Sequence, residues 1–237
     1  MSIDNSARLT RCLFWLSAPE RSSMRILLPL AIAFLVMTAT NTSADAQKPV
    51  RIVAFGDSLT AGYQLKESEA FPAVLERALR ARGHDVELVN AGVSGDTTAA
   101  GLARLDWAVP DDADAVIVEL GANDALRGLD PEAARDNLDR IVATLTARGL
   151  AVMLAGMRAP VNLGLEYRSA FDPIFAEVAA RHGTLLYPFF LEPIALRPEF
   201  NLADGIHPNA KGVEAIVEGV LPKVEELLAR VQKMRQS

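Results

Sequence analysis

The chain has a single cysteine among its 237 residues, Cys12, close to the N-terminus. One thiol forms no internal disulfide, and after the N-terminal processing described below no cysteine nucleophile remains. Cys12 does not directly follow a cleavage site, so it marks no lipoprotein anchor. Histidine is almost as scarce, with only His84, His182 and His207. No H-x-H or D-x-H pair occurs, which leaves little basis for a metal centre. The phosphate-cradling patterns G-x-x-x-x-G-K-[ST] and G-x-G-x-x-G are missing, as is the G-x-S-x-G elbow of α/β-hydrolases. There is no long run of one charge sign, and the net charge is −6. Nucleic acid and anionic membrane surfaces both attract concentrated Lys and Arg, so neither is an expected partner.

What is present begins with an N-terminal leader. Met24-Arg25 precedes "ILLPLAIAFLVM", residues 26–37, twelve residues without a charge. Ala44 and Ala46 follow as an A-x-A site that would cut before Gln47. A basic lead, a short apolar stretch and a small-residue site describe a secretory signal peptide over residues 1–46. The alternative is an uncleaved anchor, but the apolar stretch falls short of the roughly 20 residues a span requires. The lead before it is long for a signal, which makes Met24 a candidate start. The expectation is a periplasmic or secreted protein with no stable membrane anchor after cleavage.

Half of all residues are hydrophobic, enough for one domain with a sizeable core over residues 47–237. Short β-rich runs alternate with helical stretches. Strands are expected at "VRIVAF" (50–55), "DVELVNA", "DAVIVEL" (114–120), "LAVMLAG" and "TLLYPFF". Between them, "AFPAVLERALRARG" has apolar residues at helical spacing and a glycine stop. "TTAAGLARLDWAV" reads as helical despite Gly101. "DPEAARDNLDRIVATLTARG" opens with Asp130 as N-cap and Pro131 at the first helical position. "EYRSAFDPIFAEVAARHG" is a helix with a bend near Pro173, and "PNAKGVEAIVEGVLPKVEELLARVQ" a final one that Pro222 should kink or break. This alternation implies an α/β fold with a parallel sheet covered on both faces. Ligands then bind beyond the carboxyl ends of the strands, which directs attention to the residues that follow each one.

Four blocks stand there. In "FGDSLTAG", Ser58 follows the first strand where the chain turns. Nearby N–H groups would favour negative charge on a nucleophile, although Asp57 and Ser58 alone could equally cap a turn. In "NAGVSGDTT", Gly92 and Gly95 can offer backbone N–H groups with no side chain in the way, or simply make a turn capped by Asp96 or Thr97. In "ELGANDAL", the Asn123 amide donates hydrogen bonds without bringing negative charge, or forms an Asx turn. In "LADGIHPNAKG", Asp204 and His207 are three apart, so a tight turn lets the carboxylate orient the imidazole; otherwise His207 caps the last helix. Together the blocks supply a nucleophile, oxyanion donors, a base and its orienter.

These blocks resemble those of the GDSL, or SGNH, hydrolase superfamily, in family order over residues 50–228. The resemblance implies Ser58 as nucleophile, Asp204 and His207 as its acid–base pair, and an oxyanion hole of Ser58, Gly95 and Asn123. "SGDTTAAGLARL", "VELGANDALRGL" and "LYPFFLEPIALRPEFNLADGIHPN" are most similar to its bacterial periplasmic thioesterase, arylesterase and lysophospholipase group. Ala122 stands where that group commonly has glycine. The resemblance further implies a three-layer α/β/α sandwich, flavodoxin-like, with a five-stranded parallel sheet. No cofactor or metal is implied. The substrate class is a small-molecule acyl ester, such as an aryl ester, acyl thioester or lysophospholipid. An acetyl ester of a polysaccharide is the alternative. The loop from Met157 to Tyr167 is the candidate substrate wall, or else a plain surface connection. A monomer is expected, since no exposed heptads occur. Two rival readings are a metal-dependent phosphoesterase with Asp57, Asp124, Asp204 and His207 as ligands, and a non-catalytic module binding cell-wall sugars or lipids.

Overall fold

The structure is a computed structural model and describes residues 48–236. The expected signal segment, its cleavage site and the choice between Met1 and Met24 lie outside the described residues.

Five strands form one all-parallel sheet: β1 (Val50–Gly56), β2 (Val86–Gly92), β3 (Ala115–Glu119), β4 (Ala151–Ala155) and β5 (Leu185–Tyr187), in the order β2-β1-β3-β4-β5. Every residue of β3 and β4 is buried, as a sheet covered on both faces requires. β2, at the edge, is only partly so.

The helices that matter for the layers are α2 (Phe71–Ala81), α3 (Thr98–Ala108), α5 (Pro131–Ala147), α7 (Ile174–His182) and α8 (Ala210–Arg235). From β1 the chain moves one way to β2, then reverses to β3, β4 and β5. Right-handed crossovers put helices made before and after such a reversal on opposite faces. Accordingly α2 packs with α8 on one side, and α3, α5 and α7 pack side by side on the other. The reversal separates the segments leaving β1 and β3, opening a crevice between their carboxyl ends. Gly56, the last residue of β1, pairs with Gly92 on one side and Glu119 on the other, so three strand ends meet at that crevice.

Capping follows the sequence closely. Asp130 accepts from the Glu132 N–H at 3.0 Å, with Pro131 beginning α5. Thr97, not Asp96, caps α3, and Asn209 caps α8 by accepting from Gly212 N–H at 3.0 Å. His207 is therefore not needed as a helix cap.

Three expectations change. Pro222 does not break the last helix, which runs unbroken over 26 residues. Pro222 and Glu218, whose carbonyl loses its partner, both face solvent, while Val217, Leu221, Val224 and Leu228 bury the other face. The freed carbonyl is on the solvent side, where it needs no partner from the protein, and apolar packing holds the helix through it. The helix expected over residues 166–183 is instead two, α6 (Gly164–Phe171) and α7, separated at Asp172 and Pro173. The Asp172 carboxylate accepts from the Ala159 N–H at 2.9 Å, tying that break to the loop after β4. Finally, β5 stops at Tyr187 because Pro188 has no N–H to continue the ladder.

Candidate active site

The turn that carries Ser58 forms because β1 ends where there is no room for a side chain. A Cβ on Gly56 would lie 2.6 Å from the Glu119 carbonyl oxygen and 2.7 Å from Glu119 Oε2. The chain then enters a one-turn helix, α1 (Ser58–Ala61), whose N-cap is Asp57. Asp57 Oδ1 accepts from the Leu59 N–H at 3.0 Å. Capping a turn and presenting a serine are thus one arrangement: the cap leaves the Ser58 N–H at the head of α1 without a partner among the described residues.

Ser58 Oγ lies 2.9 Å from His207 Nε2, across 149 positions of sequence. His207 Nδ1 lies 2.8 Å from Asp204 Oδ2. Asp204 Oδ1 accepts from the backbone N–H groups of Ile206 at 2.9 Å and His207 at 3.0 Å. These backbone bonds, that of His207 first, with the imidazole adding to them, bring the Asp204 carboxyl down to about 2. It is a carboxylate at any pH at which the protein would work. Tyr63 packs against the imidazole with ring centroids 4.4 Å apart.

Gly95 lies in the loop after β2 at φ +88°, a conformation glycine adopts freely. Its N–H has no hydrogen-bond partner among the described residues. The loop is anchored from below. Arg104, on α3, bonds Asp96 at 2.6 Å and the Gly56 carbonyl at 2.9 Å, and lies 4.3 Å from the centroid of the Phe55 ring.

Asn123 sits on a short helix that the sequence pattern did not suggest, α4 (Ala122–Leu126). Its Nδ2 donates to Asp57 Oδ2 and to the Asp96 carbonyl, both at 3.0 Å. It forms no local Asx turn. It links the serine block to the glycine block, and both amide protons are engaged within the protein.

Below the turn lies a carboxyl the sequence reading passed over. Glu119, at the end of β3, is wholly buried. Its Oε2 accepts from Thr60 Oγ1 at 2.8 Å and faces the Asp57 N–H at 3.4 Å, while Oε1 has no partner among the described residues. Burial, reinforced by the charge of Asp57, holds the Glu119 carboxyl well above the usual range. Burial also raises Asp57 to about 6, against the pull of the Leu59 N–H and the Asn123 amide. The available signal was positional: a lone acid closing an otherwise apolar strand.

Asp124 is buried and committed elsewhere. Its carboxylate accepts from Thr98 Oγ1 at 2.6 Å and Thr98 N–H at 2.8 Å. With Asp57 also occupied, the four residues considered as metal ligands do not form one open set. Among the described residues no group of three or more His, Cys, Asp or Glu is placed to hold a metal ion.

Ser58, Asn123 and His207 open into a cleft of about 260 Å³. Met157, Arg158 and Pro160, from the loop after β4, form part of its wall, and Leu126, Leu196 and Ile206 form an exposed apolar rim. Within the expected wall of Met157 to Tyr167, Tyr167 points elsewhere: its hydroxyl donates to the Leu129 carbonyl at 2.7 Å. The Ala122 methyl lines the cleft where the resembling group commonly has glycine.

A parallel sheet of this order, with a Ser–His–Asp chain at the carboxyl ends of its strands, defines a serine hydrolase. The chain belongs to the GDSL-like lipase/acylhydrolase family, whose model matches residues 54–215. It is 38% identical over 182 residues to an arylesterase of Vibrio mimicus, covering 75% of this chain and 90% of the relative. It is 35% identical over 201 residues to the thioesterase 1/protease 1/lysophospholipase L1 of Escherichia coli K12, covering 84% and 93%. The crystal structure of AlinE4, an SGNH-hydrolase family esterase, is 48% identical with a TM-score of 0.64 over 76% of this chain and 97% of that one. The chain is accordingly a serine hydrolase acting on ester bonds, with the α/β/α fold of that family.

Proposed function

We propose that Ser58, His207 and Asp204 carry acyl transfer through a covalent acyl-serine, on small-molecule carboxylic esters and thioesters. The observation behind this is the unbroken chain from Ser58 Oγ to His207 Nε2 at 2.9 Å and from His207 Nδ1 to Asp204 at 2.8 Å. Ser58 Oγ attacks the acyl carbon while His207 Nε2 takes its proton. Asp204 fixes the imidazole tautomer and stabilises the imidazolium. As the bond to the leaving oxygen or sulfur breaks, Nε2 returns the proton to it. Water then adds to the acyl carbon, giving a proton to Nε2, and Ser58 leaves with that proton.

The oxyanion is bound by the free N–H groups of Ser58 and Gly95 and by Asn123. Asn123 supplies its bond by turning one proton from the Asp96 carbonyl to the substrate oxygen, while Asp57 keeps hold of the other. The apolar rim and the wall from Met157 to Pro160 receive the acyl chain. Aryl esters, acyl thioesters and lysophospholipids are the substrate classes, in keeping with the names of the relatives.

The protein acts as a monomer in the periplasm or outside the cell, after removal of residues 1–46. No described helix is long and apolar enough to cross a membrane. Residues 47–237 should hydrolyse p-nitrophenyl esters and be labelled once by a fluorophosphonate. Ser58→Ala should abolish both. Near-normal hydrolysis by that variant would overturn the assignment.

A further inference from the structure

The cleft beside Ser58 contains a cation that the acyl-transfer steps leave unused. Arg158 follows β4 by three positions and lines the cleft with Met157, Pro160 and Phe189. Its guanidinium lies 4.8 Å from the centroid of the Phe189 ring. Unlike Arg104 and Arg127, which hold the glycine loop, Arg158 makes no hydrogen bond or ion pair among the described residues. Among the described residues no aspartate or glutamate lines this cleft, although the whole chain carries a net charge of −6. Apart from His207, Arg158 is the one ionisable side chain in its lining.

Stacking on Phe189 covers one face of the guanidinium and limits its rotamers, leaving the N–H edges free. Its neighbours in the wall are apolar, so fewer competing dipoles surround it than on an open surface. A planar fork of N–H donors of this kind matches a carboxylate or phosphate, with which it makes paired charge-assisted bonds. A neutral ester offers it only uncharged carbonyl oxygens, with no charge and no paired acceptors.

We propose that Arg158 forms an anion subsite of the cleft, selecting esters that carry a carboxylate or phosphate beside the apolar acyl chain. This rests on the Ser58 esterase reading and adds a substrate class to it. The anion can sit on the acyl side or on the leaving-group side of the scissile bond, and the two are separable by experiment. Because the guanidinium is exposed at the cleft mouth, the preference should weaken as salt rises.

The test compares three esters on the intact enzyme: p-nitrophenyl butyrate, which is neutral; p-nitrophenyl hemiglutarate, anionic on the acyl side; and 4-butyryloxybenzoate, anionic on the leaving group. For each variant, kcat/KM of an anionic ester is divided by that of the neutral one. Arg158→Gln should lower this ratio about tenfold for one or both anionic esters, chiefly through KM. Arg158→Lys should retain an intermediate ratio, since a point charge replaces the fork. The side whose ratio falls is the side the subsite serves. Because a ratio is read, partial misfolding of a variant cancels. An unchanged ratio for both anionic esters, with the neutral ester turned over, overturns the subsite alone. Failure of the wild type to cleave even the neutral ester would overturn the esterase reading instead.

Discussion

Asn123 donates to Asp57 Oδ2 at 3.0 Å, so the aspartate that caps the nucleophile turn also holds the amide assigned to the oxyanion. Asp57 thereby holds both the turn that carries Ser58 and the Asn123 amide. Asp57→Asn should disturb both at once. The new amide can keep its oxygen on the Leu59 N–H, but then turns N–H groups toward the Asn123 N–H₂. We expect kcat to fall at least about tenfold with a smaller change in KM, since the loss is felt in the transition state. A change confined to KM would place Asp57 and Asn123 in substrate binding.

Asp204 presents a different case, because its carboxylate is half in solvent yet firmly ionised. Asp204→Asn keeps the shape but puts an N–H₂ or a neutral oxygen opposite His207 Nδ1. A loss in kcat on the order of 10³-fold or more is expected, as tautomer control and imidazolium stabilisation go together. With the native carboxyl at about 2 and an ordinary value near 3.8, its contribution to stability is present above about pH 4. It is lost only as pH falls through about 2. Loss of kcat in mild acid must come from the other groups, with protonation of Asp57 near 6 weakening its hold on Asn123. A pH–kcat profile whose acid limb lay near 2 would contradict this.

Glu119 is expected to matter as a neutral acid. Glu119→Gln should fold and retain most activity, whereas Glu119→Ala removes the partner of Thr60 and leaves a hole under the turn, costing about 2–3 kcal/mol. The native carboxyl is raised, so its contribution is fully present below the ordinary value of 4.5 and is lost as pH rises toward the native one. In that interval the unfolded chain has released a proton the folded chain keeps, and stability falls with pH by up to about 1.4 kcal/mol per unit. Gln does not titrate. Denaturant unfolding of both proteins at pH 5, 6 and 7 should show Glu119→Gln gaining on wild type at each step. A constant difference would mean that Glu119 is ionised throughout.

Gly95→Ala tests the glycine loop. A Cβ there meets only Arg127 Nη2, at 3.7 Å, so space is not the obstacle. The obstacle is φ +88°, which costs a residue with a Cβ about 1–2 kcal/mol and turns the free N–H as the loop relaxes. The fold should survive, with kcat reduced about tenfold to a hundredfold and the thermal midpoint lowered by about 2–8 °C. Unaltered kcat would remove Gly95 from the oxyanion hole.

Much of this architecture was legible because it depends on local pattern. The alternation of apolar runs and amphipathic stretches gives the β–α order, and Asp130 and Pro131 open α5 as expected. Even the candidates Ser58, Gly95 and Asn123 could be picked out by lying after strand ends, and the Asp204–His207 pair by preceding the last helix. The break allowed for at Pro222 does not occur, for a tertiary reason: propensity penalises a helical proline, but burial of the opposite face outweighs it.

The sequence by itself determined the order of the strands and main helices along the chain, the opening of α5 at Asp130 and Pro131, and the five residues proposed to make a serine hydrolase site. Those follow from side-chain periodicity and hydrogen-bonding chemistry within a few residues of each position. Only the tertiary structure decided how those residues are used. It set Asn123 between Asp57 and Asp96, placed Glu119 beneath the turn, gave Asp57 and Asp204 opposite shifts, and left Arg158 unpaired in the cleft. The physical reason is that burial and electrostatic environment depend on neighbours distant in sequence. Ser58 and His207 are 149 positions apart, and no local pattern encodes the 2.9 Å between them.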